Sequence, residues 1–145
     1  MIKIICVGKI KEDYLNNLIN DYKTRITKYH KIEIIELKDT NIEDESKDIL
    51  NHLNEKDYNI CLDIKGEKYN SIEFSKLISD TFINGYGTIT FIIGGSNGVN
   101  DSVKKLCNKR LSFSDLTFPH GLFRGVLLEQ IYRSFKIINN ESYHK

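Results

Sequence analysis

The chain has 145 residues, 40% of them hydrophobic and 28% charged, with a formal net charge of +1. That length suits one globular domain over residues 1–145 that buries most of its surface, and no apolar run approaches the roughly 18 residues needed to span a bilayer, which excludes a helical membrane protein. Charge is uneven: residues 104–145 carry eight basic and three acidic side chains, leaving 13 basic against 17 acidic elsewhere, so the C-terminal third either offers a polyanion a docking face or is an ordinary solvated surface.

In chain order, Ile2 to Val7 reads as a strand buried on both faces, too short and wrongly flanked for a signal peptide, so export is not expected. Tyr14, Leu15, Leu18, Ile19, Tyr22, Ile26 and Tyr29 recur at helical spacing, and Ile32 to Leu37 is a second isoleucine-rich strand, also expected to be buried on both faces, giving a βαβ opening. Asp39 to Lys56 is acidic, with Ile42, Ile49, Leu50 and Leu53 suiting an exposed helix after a loop. Tyr58 to Ile64 predicts a third strand, ended by Gly66. Asn70 with Glu73 forms a capping-box pattern ahead of a stripe of Phe74, Leu77, Ile78 and Phe82, which stops at Gly85-Tyr86-Gly87. Thr88 to Ile93 is a fourth strand running into Gly94-Gly95-Ser96-Asn97-Gly98. Asn100 or Asp101 caps a short helix through Cys107, a fifth strand lies near Leu111 to Ser114, and a long helix runs from about His120 to Asn139. Strand and helix alternate throughout, which predicts an α/β domain with a mostly parallel sheet and helices on both faces.

Several chemistries drop out. The glycine loop after a buried strand lets backbone approach a ligand, but it matches neither G-x-G-x-x-G nor a P-loop, and a tight turn explains it equally well. His30, His52, His120 and His144 have no metal-ligand spacing, and Ser96 lacks the G-x-S-x-G elbow. Cys6, Cys61 and Cys107 are odd in number and far apart, as expected of buried thiols in a reducing cytoplasm. The last helix carries too many apolar residues for one stripe, so it should be covered both by its own sheet and by a partner chain; Arg124, Glu129 and Arg133 interrupt it as surface charges or as part of a site.

Four strings say more: FIIGGSNGV (Phe91 to Val99), LSFSDLTFPH (Leu111 to His120), LLEQIYRSFKI (Leu127 to Ile137) and the terminal YHK. In this order and at compatible spacing they closely resemble the RlmH family of SPOUT methyltransferases, over a match from Ile4 to the last residue. The resemblance implies a single-domain SPOUT fold with a C-terminal trefoil knot, S-adenosylmethionine as methyl donor, no metal, a cytoplasmic homodimer, and methylation of N3 of a pseudouridine in 23S ribosomal RNA on the assembled ribosome. Carried onto this chain, it implies that Leu62, Gly94 and the run Phe113, Ser114, Asp115, Leu116, Thr117 and Phe118 hold the donor. His144 and Tyr143 are candidates to position the base or relay its proton, and Arg133 to stabilise developing negative charge. Two other readings fit the residues: a SPOUT methyltransferase acting on tRNA, and a non-catalytic ribosome-binding protein.

The chain departs from the family pattern at Gly121, where glutamine usually follows the Pro-His pair, and at Gly125, where a larger aliphatic residue usually follows the arginine. Glycine inside a helix costs about 1 kcal/mol relative to alanine, so the expectation is a weaker start to the last helix or a closer partner, which bears on dimer stability more than on donor binding.

Overall fold

The computed structural model describes residues 1–145. Strands β1 (Ile2–Val7), β2 (Ile32–Leu37), β3 (Tyr58–Lys68), β4 (Ile89–Ile93) and β5 (Lys109–Ser112) alternate with helices α1 (Asp13–Ile26), α2 (Ile42–His52), α3 (Ser71–Ile83), α4 (Asp101–Lys104) and α5 (His120–Ile138). The strands make one parallel sheet in the order β2-β1-β4-β3-β5. No helix is long and apolar enough to cross a membrane.

The predominantly apolar strands β1 and β4 follow from burial on both faces. Ile2, Ile4 and Cys6 join Ile60, Ile89, Phe91 and Ile93 under α1, α3 and α5, while Ile5, Val7, Cys61 and Ile92 face the opposite way, against Ile49 of α2 and Val103 of α4. Successive side chains of a strand point to opposite faces, so a strand covered on both sides is mostly apolar, with Asn59 of β3 and Thr90 of β4 the buried polar exceptions. Strand β2 is not buried on both faces as expected: it lies at the sheet edge, and only its Leu37 is buried. Burial also pushes the Cys6 thiol up to about 11, despite the nearby Arg124.

Local signals set the helix starts. Asn70 Oδ1 accepts the Glu73 N–H at 2.8 Å while Glu73 Oε1 accepts the Asn70 N–H at 2.9 Å, completing the capping box of α3. Asn41 caps α2 in the same manner through the Asp44 N–H at 2.9 Å. The acidic helix is not simply exposed: Glu45, Ser46 and Ile49 are buried. Shorter corrections fall at α4, which ends at Lys104 rather than at Cys107, and at β5, which spans Lys109–Ser112.

The third strand does not stop at Gly66. It pairs Leu62 with Leu111, bulges outward, and resumes with Glu67 opposite the same Leu111. A β-carbon on Gly66 would stand 2.7 Å from both Arg110 C and Leu111 N, so the bulge closes onto the β5 backbone only because this residue has no side chain.

Helix α5 packs between α1 and α3, burying Leu127, Leu128, Ile131, Tyr132 and Phe135. Gly121 and Gly125 bring it close to α1: β-carbons there would lie 2.8 Å from Leu15 Cδ1 and 2.7 Å from Leu18 Cδ2. The close approach is thus to α1 of the same chain rather than to a partner. Arg124 is 4% exposed; its guanidinium donates to Glu36 Oε2 at 2.6 Å and to the Gly8 carbonyl at 3.1 Å, tying α5 to the carboxyl end of β2 and to the turn after β1.

Gly66→Ala should lower unfolding stability by about 1–3 kcal/mol through overpacking against rigid backbone. Gly87→Ala, with open space around it, should stay within about 0.5 kcal/mol of the parent in urea denaturation.

Candidate active site

The carboxyl ends of β3, β4 and β5 and the start of α5 enclose one open cavity of about 360 Å³. Leu62 and the bulge residues Asp63 and Ile64 form one wall, the loop Gly94 to Gly98 another, and Ser112 to Ser114 with Leu116 to Phe118 a third. Crevices at this end of a parallel sheet are where α/β folds bind ligands, because the strands stop there and the loops are free to vary.

The main chain is unusually close at the glycine loop. A β-carbon on Gly94 would meet the Gly98 carbonyl oxygen at 2.6 Å and Val99 Cγ2 at 2.6 Å, so the loop folds back on itself only with glycine there. Gly98 adopts φ +77, a left-handed conformation that glycine reaches without strain. On the third wall, Ser112 Oγ donates to the Ser114 carbonyl and Ser114 Oγ accepts the Leu116 N–H, holding the polar loop in place. Phe113, Phe118 and Phe123 pack edge to face or in offset stacks behind it.

Of the residues singled out for donor binding, Leu62, Gly94, Phe113, Ser114, Leu116, Thr117 and Phe118 all line this cavity. Asp115 does not: its carboxylate pairs with Lys68 at the surface. Sequence reading missed Asp63, Lys104, His120 and Phe123, which line the same space. Asp63 was visible as the polar residue at the end of a buried strand, whereas nothing local marks Lys104. Lys104 Nζ lies 3.2 Å from Asp63 Oδ2. Burial works to raise the Asp63 carboxyl, but the Lys65 N–H and the Lys104 ammonium outweigh it and hold the group below its ordinary value.

Arg133, Tyr143 and His144 gather elsewhere, at the far end of α5. Glu129 Oε1 accepts from Arg133 Nε at 3.0 Å, from Arg133 Nη2 at 2.5 Å and from the Tyr143 hydroxyl at 3.1 Å, while Arg133 Nη1 lies 3.0 Å from His144 Nδ1. A guanidinium only donates, so His144 Nδ1 accepts and the proton of the ring sits on Nε2, at an exposed tip. The Tyr143 ring lies 4.9 Å from the Arg133 guanidinium carbon and 4.9 Å from the Tyr132 ring. Burial, with the Tyr22 hydroxyl and the Glu129 charge, pushes Tyr143 well above the ordinary phenol value, which keeps it a proton donor. Ten residues of helix separate Phe123 at the cavity from Arg133, a distance of about 15 Å. No group of three His, Cys, Asp or Glu side chains gathers as a metal site.

The family described as "Predicted SPOUT methyltransferase" matches residues 1–144. Over 157 aligned positions covering 99% of both proteins, the chain is 46% identical to a ribosomal RNA large subunit methyltransferase H of Clostridium botulinum and 43% identical to that of Clostridium acetobutylicum. A probable methylase family protein from Haemophilus influenzae shares the fold with a TM-score of 0.58 at 9% identity, covering 96% of this chain and 66% of that one. The SpoU methyltransferase AviRb from Streptomyces viridochromogenes, solved in complex with AdoMet, gives a TM-score of 0.51 at 9% identity over 92% of this chain and 57% of its own.

Asp63→Asn should cost about 1–3 kcal/mol at neutral pH by leaving the Lys104 ammonium without its counter-charge. A carboxyl held below its ordinary value contributes stability above its unfolded pKa and loses it as pH falls through the folded one. The gap between parent and variant in urea denaturation should therefore shrink as pH drops below about 4.

Proposed function

The chain belongs to the RlmH family of SPOUT methyltransferases, and from that membership we propose that it uses S-adenosylmethionine to methylate N3 of a pseudouridine in 23S ribosomal RNA on the assembled ribosome, in the cytoplasm. The observation that carries this reading is the cavity at the carboxyl end of the sheet, where Leu62, Gly94 and most of Phe113 to Phe118 converge. Its volume falls within the range of small-molecule sites, and the missing side chain of Gly94 lets the loop fold back on Gly98 and Val99 to form one wall of that space. When bound, S-adenosylmethionine supplies a methyl group that its sulfonium has already activated. The trefoil-knotted path of the C-terminal segment belongs to the same proposal.

The chain's own work is then alignment and electrostatics rather than covalent catalysis. Glu129 fixes the Arg133 guanidinium, which is positioned to stabilise negative charge as the base loses its N3 proton to solvent water. Arg133 in turn occupies His144 Nδ1, so the exposed Nε2–H suits a hydrogen bond to a carbonyl of the base. Tyr143, held as a phenol, orders the tail through Glu129. This favours a positioning role for the tail over a general base within it.

Because the tail cluster and the cavity lie on opposite stretches of one rigid helix, the active unit in this proposal is a homodimer in which one subunit's tail meets the other's cavity. Exposed Tyr14 and Leu122, at the closely packed starts of α1 and α5, supply apolar surface for such an interface. The uneven charge leaves the C-terminal third as the face for ribosomal RNA.

His144→Ala should leave the affinity for S-adenosylmethionine within about twofold while methyl transfer to pseudouridylated ribosomes falls about 100-fold or more. Unchanged turnover removes His144 from the reaction, and transfer to tRNA alone refutes the ribosomal substrate. Failure of the donor to bind in calorimetry leaves only a non-catalytic ribosome-binding role.

A further inference from the structure

The cavity has a charge imbalance when matched against the proposed donor. S-adenosylmethionine carries one net positive charge, from its sulfonium, its ammonium and its carboxylate. Asp63 is the only acidic residue lining the cavity, and Lys104 already neutralises it at 3.2 Å. The lining therefore offers no surplus negative charge to a cationic ligand.

Such a charge stands immediately behind it. Glu45 of α2 is 3% exposed; its Oε2 accepts the Thr40 N–H at 2.9 Å, while its Oε1 has no partner and no cation of the chain pairs with it. A β-carbon on Gly95 would lie 2.9 Å from that unpartnered oxygen, so the carboxylate rests directly on the glycine loop, and Gly95 lines the cavity. A buried carboxylate without a cation is costly, and the cost falls when a positive charge comes close in a medium less polar than water. Glu45 also sits on the inner stripe of its helix with Ile42, Ser46 and Ile49, so the charge is held in place rather than tethered to the surface.

We propose that Glu45 supplies the negative charge that makes the cavity prefer the cationic methyl donor over its neutral demethylated product. It acts through the Gly94 to Gly98 loop, without touching the ligand, as a specificity-determining residue. The consequence for turnover is release: once the methyl group has left, the thioether product no longer matches the charge behind the loop. This inference rests on the cavity being the donor site.

The test is calorimetric titration of the full chain with three ligands: S-adenosylmethionine, S-adenosylhomocysteine, and an analogue with an amine in place of the methylated sulfonium. The parent should bind both cationic ligands more tightly than S-adenosylhomocysteine. Glu45→Gln should lose about tenfold for the two cations and about twofold or less for the neutral product, and Glu45→Asp should keep the preference. Equal weakening for all three ligands would assign Glu45 a structural role and overturn the proposal, as would no change for any of them. If Glu45→Gln does not fold, the parent still decides: no preference for cations over the neutral ligand overturns it. Absence of binding by all three ligands to the parent instead sinks the donor site itself, a separate outcome.

Discussion

The structure turns on the fixed axis of α5. Nineteen residues of helix span about 28 Å, and packing between α1 and α3 sets the course of that rod across the sheet. Its first turn, with His120 and Phe123, closes the cavity; its last turns, with Glu129 and Arg133, carry the tail. The two ends cannot meet within one chain, which is the physical reason that a second copy enters the proposed mechanism. Gly121 and Gly125 set the rod's distance from α1, where they exchange helix propensity for close approach to Leu15 and Leu18.

A second constraint comes from backbone packed on backbone. The bulge between Leu62 and Glu67 swings Asp63 and Ile64 into the cavity wall, and Gly66 lets that detour close on β5. The loop after β4 folds back through Gly94 in the same manner. Both walls thus depend on main chain packed against main chain, which holds backbone groups at fixed positions. Charge is then supplied from outside the wall: Lys104 balances Asp63 from α4, and Glu45 stands behind Gly95 from α2. Arg124, buried against Glu36 and the Gly8 carbonyl, couples α5 to the same end of the sheet.

Much of the fold is legible in the sequence because its signals are local. Isoleucine-rich runs with at most one polar residue, as in β1 and β4, mark strands covered on both faces, and Asn70 with Glu73 marks the start of α3. The order of the strands carries no such signal, since β4 lies between β1 and β3 only through long-range pairing. Gly66 reads as a stop and proves to be a crossing point, because only the position of β5 shows what its missing side chain avoids. Glu45 was within reach, as the one charged residue on the inner spacing of Ile42 and Ile49, yet an acidic stretch reads as solvated surface.

The sequence by itself therefore determined the α/β alternation, the glycine loop, the polar run before α5 and the charged aromatic tail, and its motifs carried the family. Only the tertiary structure decided that the loop and the polar run share one cavity with Asp63, Lys104 and His120, that Asp115 turns away to Lys68, and that the tail lies out of reach along α5. The division has a simple cause: hydrophobic period, caps and turns act over a few residues, whereas cavity walls and charge pairs join residues brought together by the sheet, as Lys104 is to Asp63 and Gly95 to Glu45.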